Sequence, residues 1–119
     1  MPQYVLTHSR ELSKELKEDI ASAITVLHCK HTNAPARFVQ TFFIRLEDHS
    51  GFTGGSHNAD FVNLDATIRP GRPEEVEKSL LWDLDALIKK LLSPAQYYIT
   101  LGRYYTPHLI ENGHLLPAA

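Results

Sequence analysis

The sequence has little of what secreted and membrane proteins depend on. Cys29 is the only cysteine among 119 residues, so the chain can form no intrachain disulfide. No apolar run approaches the roughly 20 residues that a membrane-spanning helix needs, and the opening Met1-Pro2-Gln3 starts no signal peptide. We therefore expect a cytoplasmic protein without a membrane partner.

A charge excess and the common enzyme motifs are also missing. Twelve Lys+Arg against fourteen Asp+Glu give a net charge of −2, without the basic excess typical of nucleic-acid binding. The sequence contains no GxSxG, P-loop, GxGxxG or CxxC motif. The cluster of His28, Cys29 and His31 has no second ligand pair at a matching spacing, so we predict no metal site.

The residues that are present predict one globular domain over residues 1–119, because 43% of them are hydrophobic and 22% charged. Hydrophobic periodicity and turn residues divide this domain into strands and helices. The predicted strands are Gln3–Thr7, Arg37–Glu47, Phe61–Ile68 and Gln96–Leu101. The predicted helices are Ser13–His28, with Ser13 as N-cap, and a second helix that starts with Pro73 at its first position and stops at Ser93-Pro94.

This order of elements predicts an α/β (α+β) fold of two consecutive β-α-β units, at about residues 2–47 and 60–102, with a C-terminal tail at 103–119. The units would share a four-stranded sheet with both helices on one face. Because Arg37–Glu47 is apolar on both faces, we predict that it is a central strand. The other sheet face is partly apolar, which suggests that further subunits cover it.

One connecting segment and the C-terminal tail carry weaker signals. Asp48–Asp60 contains three glycines and two histidines, which indicates a loop or an irregular hairpin. We expect at best a short helical turn over Pro107–Asn112.

The turn Arg69-Pro70-Gly71-Arg72 precedes the second predicted helix and is a candidate anion site. Two arginines at a helix N-terminus suit a carboxylate that needs bidentate donors. The alternative is a solvated basic turn whose positive charge is balanced by Glu74 and Glu75. Spacing alone favours neither interpretation.

Two other residues have both a functional and an ordinary interpretation. His28 near the end of the first helix is either a functional residue or a histidine favoured there by the helix dipole. Pro2 would become a free secondary amine if Met1 were removed, and arginines or an apolar pocket would lower its pKa towards working pH. Alternatively, proline is simply a common second residue.

Four short stretches of the sequence together resemble one known family. They are Ala23-Ile24-Thr25 through His28, Gly54-Gly55, Arg69-x-Gly71-Arg72, and Glu111-x-Gly113-x-x-Leu116-Pro117. With the early proline and the two β-α-β units, they resemble the tautomerase superfamily, and within it the cis-3-chloroacrylic acid dehalogenase subgroup.

The resemblance implies a homotrimeric enzyme that needs no cofactor or metal and acts on a small carboxylate substrate. It implies tautomerisation, hydration or hydrolytic dehalogenation of 3-haloacrylates or enol acids. The implied catalytic residues are Pro2 as the amine, His28 and Glu111, and the implied substrate-binding residues are Arg69, Arg72 and Thr100. Thr100 stands where the family has a tyrosine. The alternatives are a non-catalytic oligomeric anion-binding module that retains the fold, and an anion-binding regulator that uses the two arginines.

Overall fold

The computed structural model describes residues 2–104 and 109–116. Its strands are β1 (Gln3–His8), β2 (Gln40–Arg45), β3 (Phe52–Thr53), β4 (Ser56–His57), β5 (Phe61–Ile68), β6 (Gln96–Arg103), β7 (Leu109–Glu111) and β8 (His114–Leu116). Its helices are α1 (Lys14–Thr32) and α2 (Glu74–Leu91), and a short 3₁₀ helix spans Ala36–Phe38. Among these residues, no helix is long and apolar enough to cross a membrane.

Four strands form one sheet in the order β2-β1-β5-β6. The pairs β1–β2 and β5–β6 are parallel, and the two units meet where β1 and β5 run antiparallel. Each parallel pair is connected through one helix, as a β-α-β unit requires. The predicted fold of two β-α-β units sharing one four-stranded sheet is therefore confirmed.

The prediction of a central strand over Arg37–Glu47 is wrong. The strand is shorter, at Gln40–Arg45, and it lies at one edge of the sheet. Its apolar residues Phe42 and Ile44 are 45% and 49% exposed on the open face of the sheet. Apolar residues on both faces of a strand indicate that other parts of the protein can pack above and below it. They do not indicate whether the strand has one neighbouring strand in the sheet or two.

Local signals set the helix ends to within a few residues. The Ser13 hydroxyl accepts a hydrogen bond from the Leu16 amide at 3.1 Å, which confirms Ser13 as the N-cap of α1. The helix continues past His28 to Thr32 and ends at Asn33, which adopts a left-handed conformation with φ 59°. Pro73 is the N-cap of α2 rather than its first helical residue, a shift of one position.

Both helices pack on the same face of the sheet. Residues alternate along β1, so that Tyr4 and Leu6 are buried beneath α1 and α2 while their neighbours face the other way. The helices bury Ile24 and Leu84 against them, and the same core includes Ile20, Leu64, Leu80 and Ile88. No element of the described chain packs over the opposite face as the helices do, and it remains partly exposed.

Two short hairpins leave the main sheet. β3 and β4 pair within the segment predicted as a loop or irregular hairpin. β7 and β8 pair where we expected at best a helical turn, so that expectation is wrong. Asn112 and Gly113 both have positive φ, 50° and 83°, which suits the tight turn of a hairpin and explains why the chain reverses instead of coiling. Pro107 and His108 lie outside the described residues.

Candidate active site

Tyr4 and His28 form a hydrogen-bonded pair in the core. Tyr4 points from β1 towards the helices, and His28 points from α1 towards the sheet. The Tyr4 Oη and His28 Nδ1 atoms are 2.7 Å apart, and the two rings meet edge to face at 84°. Both side chains are almost fully buried, at 0% and 1% exposure. The pair therefore fixes His28 within the protein interior.

His28 is neutral in this environment. Burial first, and the positive charges of Arg72 and His31 next, lower the pKa of His28 to about 4. Its Nε2 atom is buried and has no hydrogen-bond partner within the described residues. A histidine held at this position by the helix dipole would be charged, so the structure does not favour that interpretation.

His31, unlike His28, has the surroundings expected of a histidine that is favoured by the dipole at the end of a helix. It lies in the last turn of α1, and its Nε2 atom is 2.6 Å from Oδ2 of Asp83 on α2.

Within the described parts of the chain, no three histidine, cysteine or acidic side chains come together as metal ligands.

Arg69 and Arg72 lie in the turn before α2. Gly71 has φ 107°, a value that L side chains rarely adopt, and it lets the turn close so that Arg72 Nη1 donates to the Arg69 carbonyl at 2.8 Å. The positive charge of Arg72 acts to lower the pKa of both Tyr4 and His28.

The acidic residues Glu74 and Glu77 after the turn form their ion pairs with other basic residues. Glu74 pairs with Lys78 at 3.2 Å, and Glu77 accepts from Arg103 Nε at 2.9 Å. Neither Arg69 nor Arg72 forms an ion pair with any carboxylate of residues 2–104 or 109–116. The interpretation as a basic turn whose charge is balanced by Glu74 and Glu75 is therefore not supported. Both guanidinium groups stay available for an anion.

Pro2 begins the chain segment that enters β1. It is buried, and its carbonyl accepts a hydrogen bond from the Gln40 amide at 3.0 Å. By strand alternation it shares the face of Tyr4, two residues along. Met1 lies outside the described residues.

Glu111 lines a cavity of about 390 Å³ on the other side of the same strand end. Gln3, Gln40 and Thr67, which are neighbours across three strands, form the floor of this cavity. The hairpin β7–β8 brings Glu111 over that floor, and its Oε1 atom is buried without a partner among the described residues. Because Gln3 follows Pro2 and Gln40 bonds to it, Glu111 and Pro2 lie at the same end of the sheet.

The polar floor of this cavity was not predicted from the sequence. Alternation with the buried Tyr4 could have placed Gln3 on the open face. Gln40 and Thr67 join Gln3 only through the strand register, which no local pattern encodes.

Thr100 is not among the residues that line this cavity. It lies on the open face of β6, where its hydroxyl donates to Asp65 Oδ1 at 2.7 Å. Of the tyrosines nearby, Tyr98 is on the same face and its hydroxyl is 3.5 Å from Asp65 Oδ2, whereas Tyr104 lines the cavity with Glu111.

Comparison with known proteins decides the family. A family model described as "Putative oxalocrotonate tautomerase enzyme" matches residues 1–102, which is most of the chain. The chain belongs to the tautomerase superfamily. No curated protein sequence matches it.

Solved structures of tautomerase-like proteins share this fold. A structure titled as N1, a member of the cis-3-chloroacrylic acid dehalogenase family, is 24% identical with a TM-score of 0.87, over 98% of this chain and 84% of that one. A protein titled "a probable enzyme from the thermophilic fungus Aspergillus fumigatus" is 26% identical with a TM-score of 0.85, over 100% and 86% of the two chains.

A symmetric trimer of fused wild-type 4-OT is 14% identical with a TM-score of 0.81, over 95% of this chain and 94% of that one. At such low identity the likeness shows that the two-helix, four-stranded arrangement of this tautomerase superfamily member is shared.

Proposed function

We propose that this chain is a cofactor-independent enzyme that uses Pro2, freed by removal of Met1, for acid–base catalysis on small unsaturated or 2-oxo carboxylates. The observation that carries the proposal is that Arg72, which forms no ion pair within the described residues, acts with its charge on the neutral, buried His28. Both lie near the strand end where Pro2 is buried. Membership of the tautomerase superfamily supports the class of reaction.

The arginines would supply both binding and activation. Arg69 and Arg72 donate charged hydrogen bonds to the substrate carboxylate, and His28 donates from Nε2 to an adjacent oxygen. Negative charge that develops on the substrate is then stabilised by groups already in place, as in an oxyanion hole. An enolate forms more readily for that reason, and the substrate itself serves as the electron sink.

In tautomerisation, the neutral amine of Pro2 takes the hydroxyl proton of an enol acid. The electron pair of the broken O–H bond forms the carbonyl, and the pair of the C=C bond takes a proton from the protonated Pro2 at carbon. The proton has then moved from oxygen to carbon, and Pro2 is neutral again.

In hydration, Pro2 starts protonated and Glu111 orients a water molecule. The water oxygen bonds to the β-carbon while Glu111 accepts its proton, and the α-carbon takes a proton from Pro2. If the β-carbon carries a halogen, the product loses halide and a proton to give an aldehyde. The cavity that Glu111 lines, with its amide and hydroxyl groups, is a suitable place for that water.

A substrate screen tests the proposal and the role of Glu111. We expect turnover of phenylenolpyruvate, a 2-hydroxydienoate, a 3-chloroacrylate isomer or an acetylenic acid, followed by absorbance or by chloride release. Glu111→Gln should lower hydration or dehalogenation about 100-fold, as expected for loss of a general base. It should change tautomerisation far less, because that reaction uses no water.

The control for the Glu111 variant is Glu75→Gln, a change of the same chemistry at an exposed residue of α2. It should behave as wild type. Binding of these acids without any turnover would contradict the enzyme and favour the non-catalytic anion-binding module. Equal loss of both reactions in Glu111→Gln would contradict the water-activating role.

We also propose that the protein is a homotrimer in which the open sheet faces meet. Phe42, Ile44 and Tyr98 are large apolar or aromatic residues exposed on this face, and similar solved structures include proteins titled as trimers. Thr100 lies on the same face, so in this trimer it would face a neighbouring subunit.

Replacement of one face residue tests the trimer. The wild type should sediment with three times the 13.5 kDa chain mass, and Phe42→Asp should reduce that mass, because a charge would be buried in the interface. The matched control is Val26→Asp on the outer side of α1, where Val26 is 66% exposed. A monomeric wild type, or an unchanged mass in Phe42→Asp, would contradict the proposed arrangement.

A further inference from the structure

Tyr4 is a buried polar residue that no step of the proposed reaction uses. Its side chain has no exposed surface, and its hydroxyl group contacts His28 Nδ1 at 2.7 Å. A leucine or phenylalanine would fill a core position without the need to satisfy a hydroxyl group. The contact with His28 therefore calls for an explanation.

The direction of this hydrogen bond follows from the burial of both partners. Burial raises the pKa of Tyr4 well above its usual range, so its phenol keeps its proton. Burial likewise keeps His28 neutral, so only one of its two ring nitrogens carries a proton. The buried Tyr4 hydroxyl group has Nδ1 of His28 as its hydrogen-bond partner within the described residues, so its O–H finds an acceptor only when Nδ1 carries no proton. The proton of His28 is then on Nε2.

The Nε2 atom of His28 is the unusual part of the pair. It is shielded from solvent and has no hydrogen-bond partner within residues 2–104 and 109–116. A buried donor without an acceptor is costly and rare in folded proteins, and an oxygen atom of a ligand would satisfy it. Arg72, whose charge acts on both rings, is a source of attraction for such an oxygen.

We propose that Tyr4 is a positioning residue that holds His28 in the Nε2–H tautomer, so that His28 and Arg72 donate together to an acceptor oxygen of the ligand. The ligand part of this inference rests on the proposed function, whereas the tautomer part does not. It implies selectivity, because a carboxylate or carbonyl oxygen satisfies both donors and a hydroxyl or amine hydrogen facing Nε2 does not.

Nitrogen-15 NMR of the histidine side chains tests the tautomer without any substrate. In the wild-type protein at neutral pH, His28 should be a single neutral Nε2–H tautomer. In Tyr4→Phe it should become a mixture with the Nδ1–H form, because nothing then donates to Nδ1. Tyr97→Phe is the matched control, since it removes a phenol that donates at 2.7 Å to Asp85, away from His28. A wild-type His28 that is charged or protonated at Nδ1 would overturn the inference even if the Tyr4 variant did not fold.

A double-mutant cycle tests whether Tyr4 acts through His28. Tyr4→Phe should lower kcat/KM about fivefold to tenfold in the wild-type background, the loss expected for one weakened hydrogen bond. It should have no further effect when His28 is already alanine. The same loss in both backgrounds would mean that Tyr4 only packs the core. Full activity of a Pro2-blocked protein would overturn the proposed reaction and leave the tautomer result standing, so the two failures are distinguishable.

Discussion

Blocking the amine of Pro2 is expected to abolish turnover. A chain that carries an N-terminal extension keeps the proline ring but has an amide in place of the amine, so the proton acceptor is lost. Pro2→Ala keeps an amine of different geometry and basicity. We expect a fall in kcat of at least about 100-fold for the extension, which is the lower range for loss of a general acid–base group, and a smaller fall for Pro2→Ala.

Intact mass is the first measurement for this prediction, because the wild type must lack Met1 for the amine to exist. The control is Pro35→Ala, at an exposed proline before the 3₁₀ helix. It should leave kcat unchanged. Wild-type turnover by the extended chain, or by a chain that retains Met1, would show that the reaction does not use Pro2.

Removal of the Arg72 guanidinium is expected to weaken substrate binding. Arg72→Ala should raise KM about 10-fold to 100-fold, which corresponds to about 1.5–3 kcal/mol for a lost charged hydrogen bond. Arg69→Ala should have a similar or smaller effect, since Arg69 is the more exposed of the two. Arg72→Lys should recover only part of the loss, because an ammonium group lacks the planar, bidentate geometry.

The control for the arginine variants is Arg45→Ala, at the opposite end of the sheet, where β2 pairs with His8. The Arg45 guanidinium lies 3.9 Å from the exposed Asp48, and such a surface ion pair contributes little stability. Arg45→Ala therefore removes the same charge as the other two substitutions at little structural cost. It should leave KM unchanged. An unchanged KM in both Arg69→Ala and Arg72→Ala would mean that the substrate carboxylate binds elsewhere.

The prediction of the fold succeeded where local chemistry decides the structure. The N-cap hydroxyl of Ser13 accepts from the Leu16 amide three residues away, so its effect is visible in the sequence. The Asn112-Gly113 pair is a signal of the same kind, and it could have predicted the β7–β8 hairpin in place of a helical turn.

The prediction failed where position in the sheet matters. Arg37–Glu47 looked like a central strand because Phe42, Phe43 and Ile44 alternate without a polar face. The strand is an edge, and the exposed Phe42 and Ile44 instead mark the open face of the sheet. Periodicity reports which side chains are apolar, whereas the order of strands depends on contacts between residues far apart in the chain.

The sequence by itself determined the main strands and helices, the two β-α-β units, and the arginine turn before the second helix. These follow from interactions over a few residues and from a resemblance carried by short motifs. Only the tertiary structure decided that Tyr4 bonds to His28, that Gln3, Gln40 and Thr67 share one floor under Glu111, and that Thr100 bonds to Asp65. Burial and strand register set these relations, and both depend on the whole folded chain.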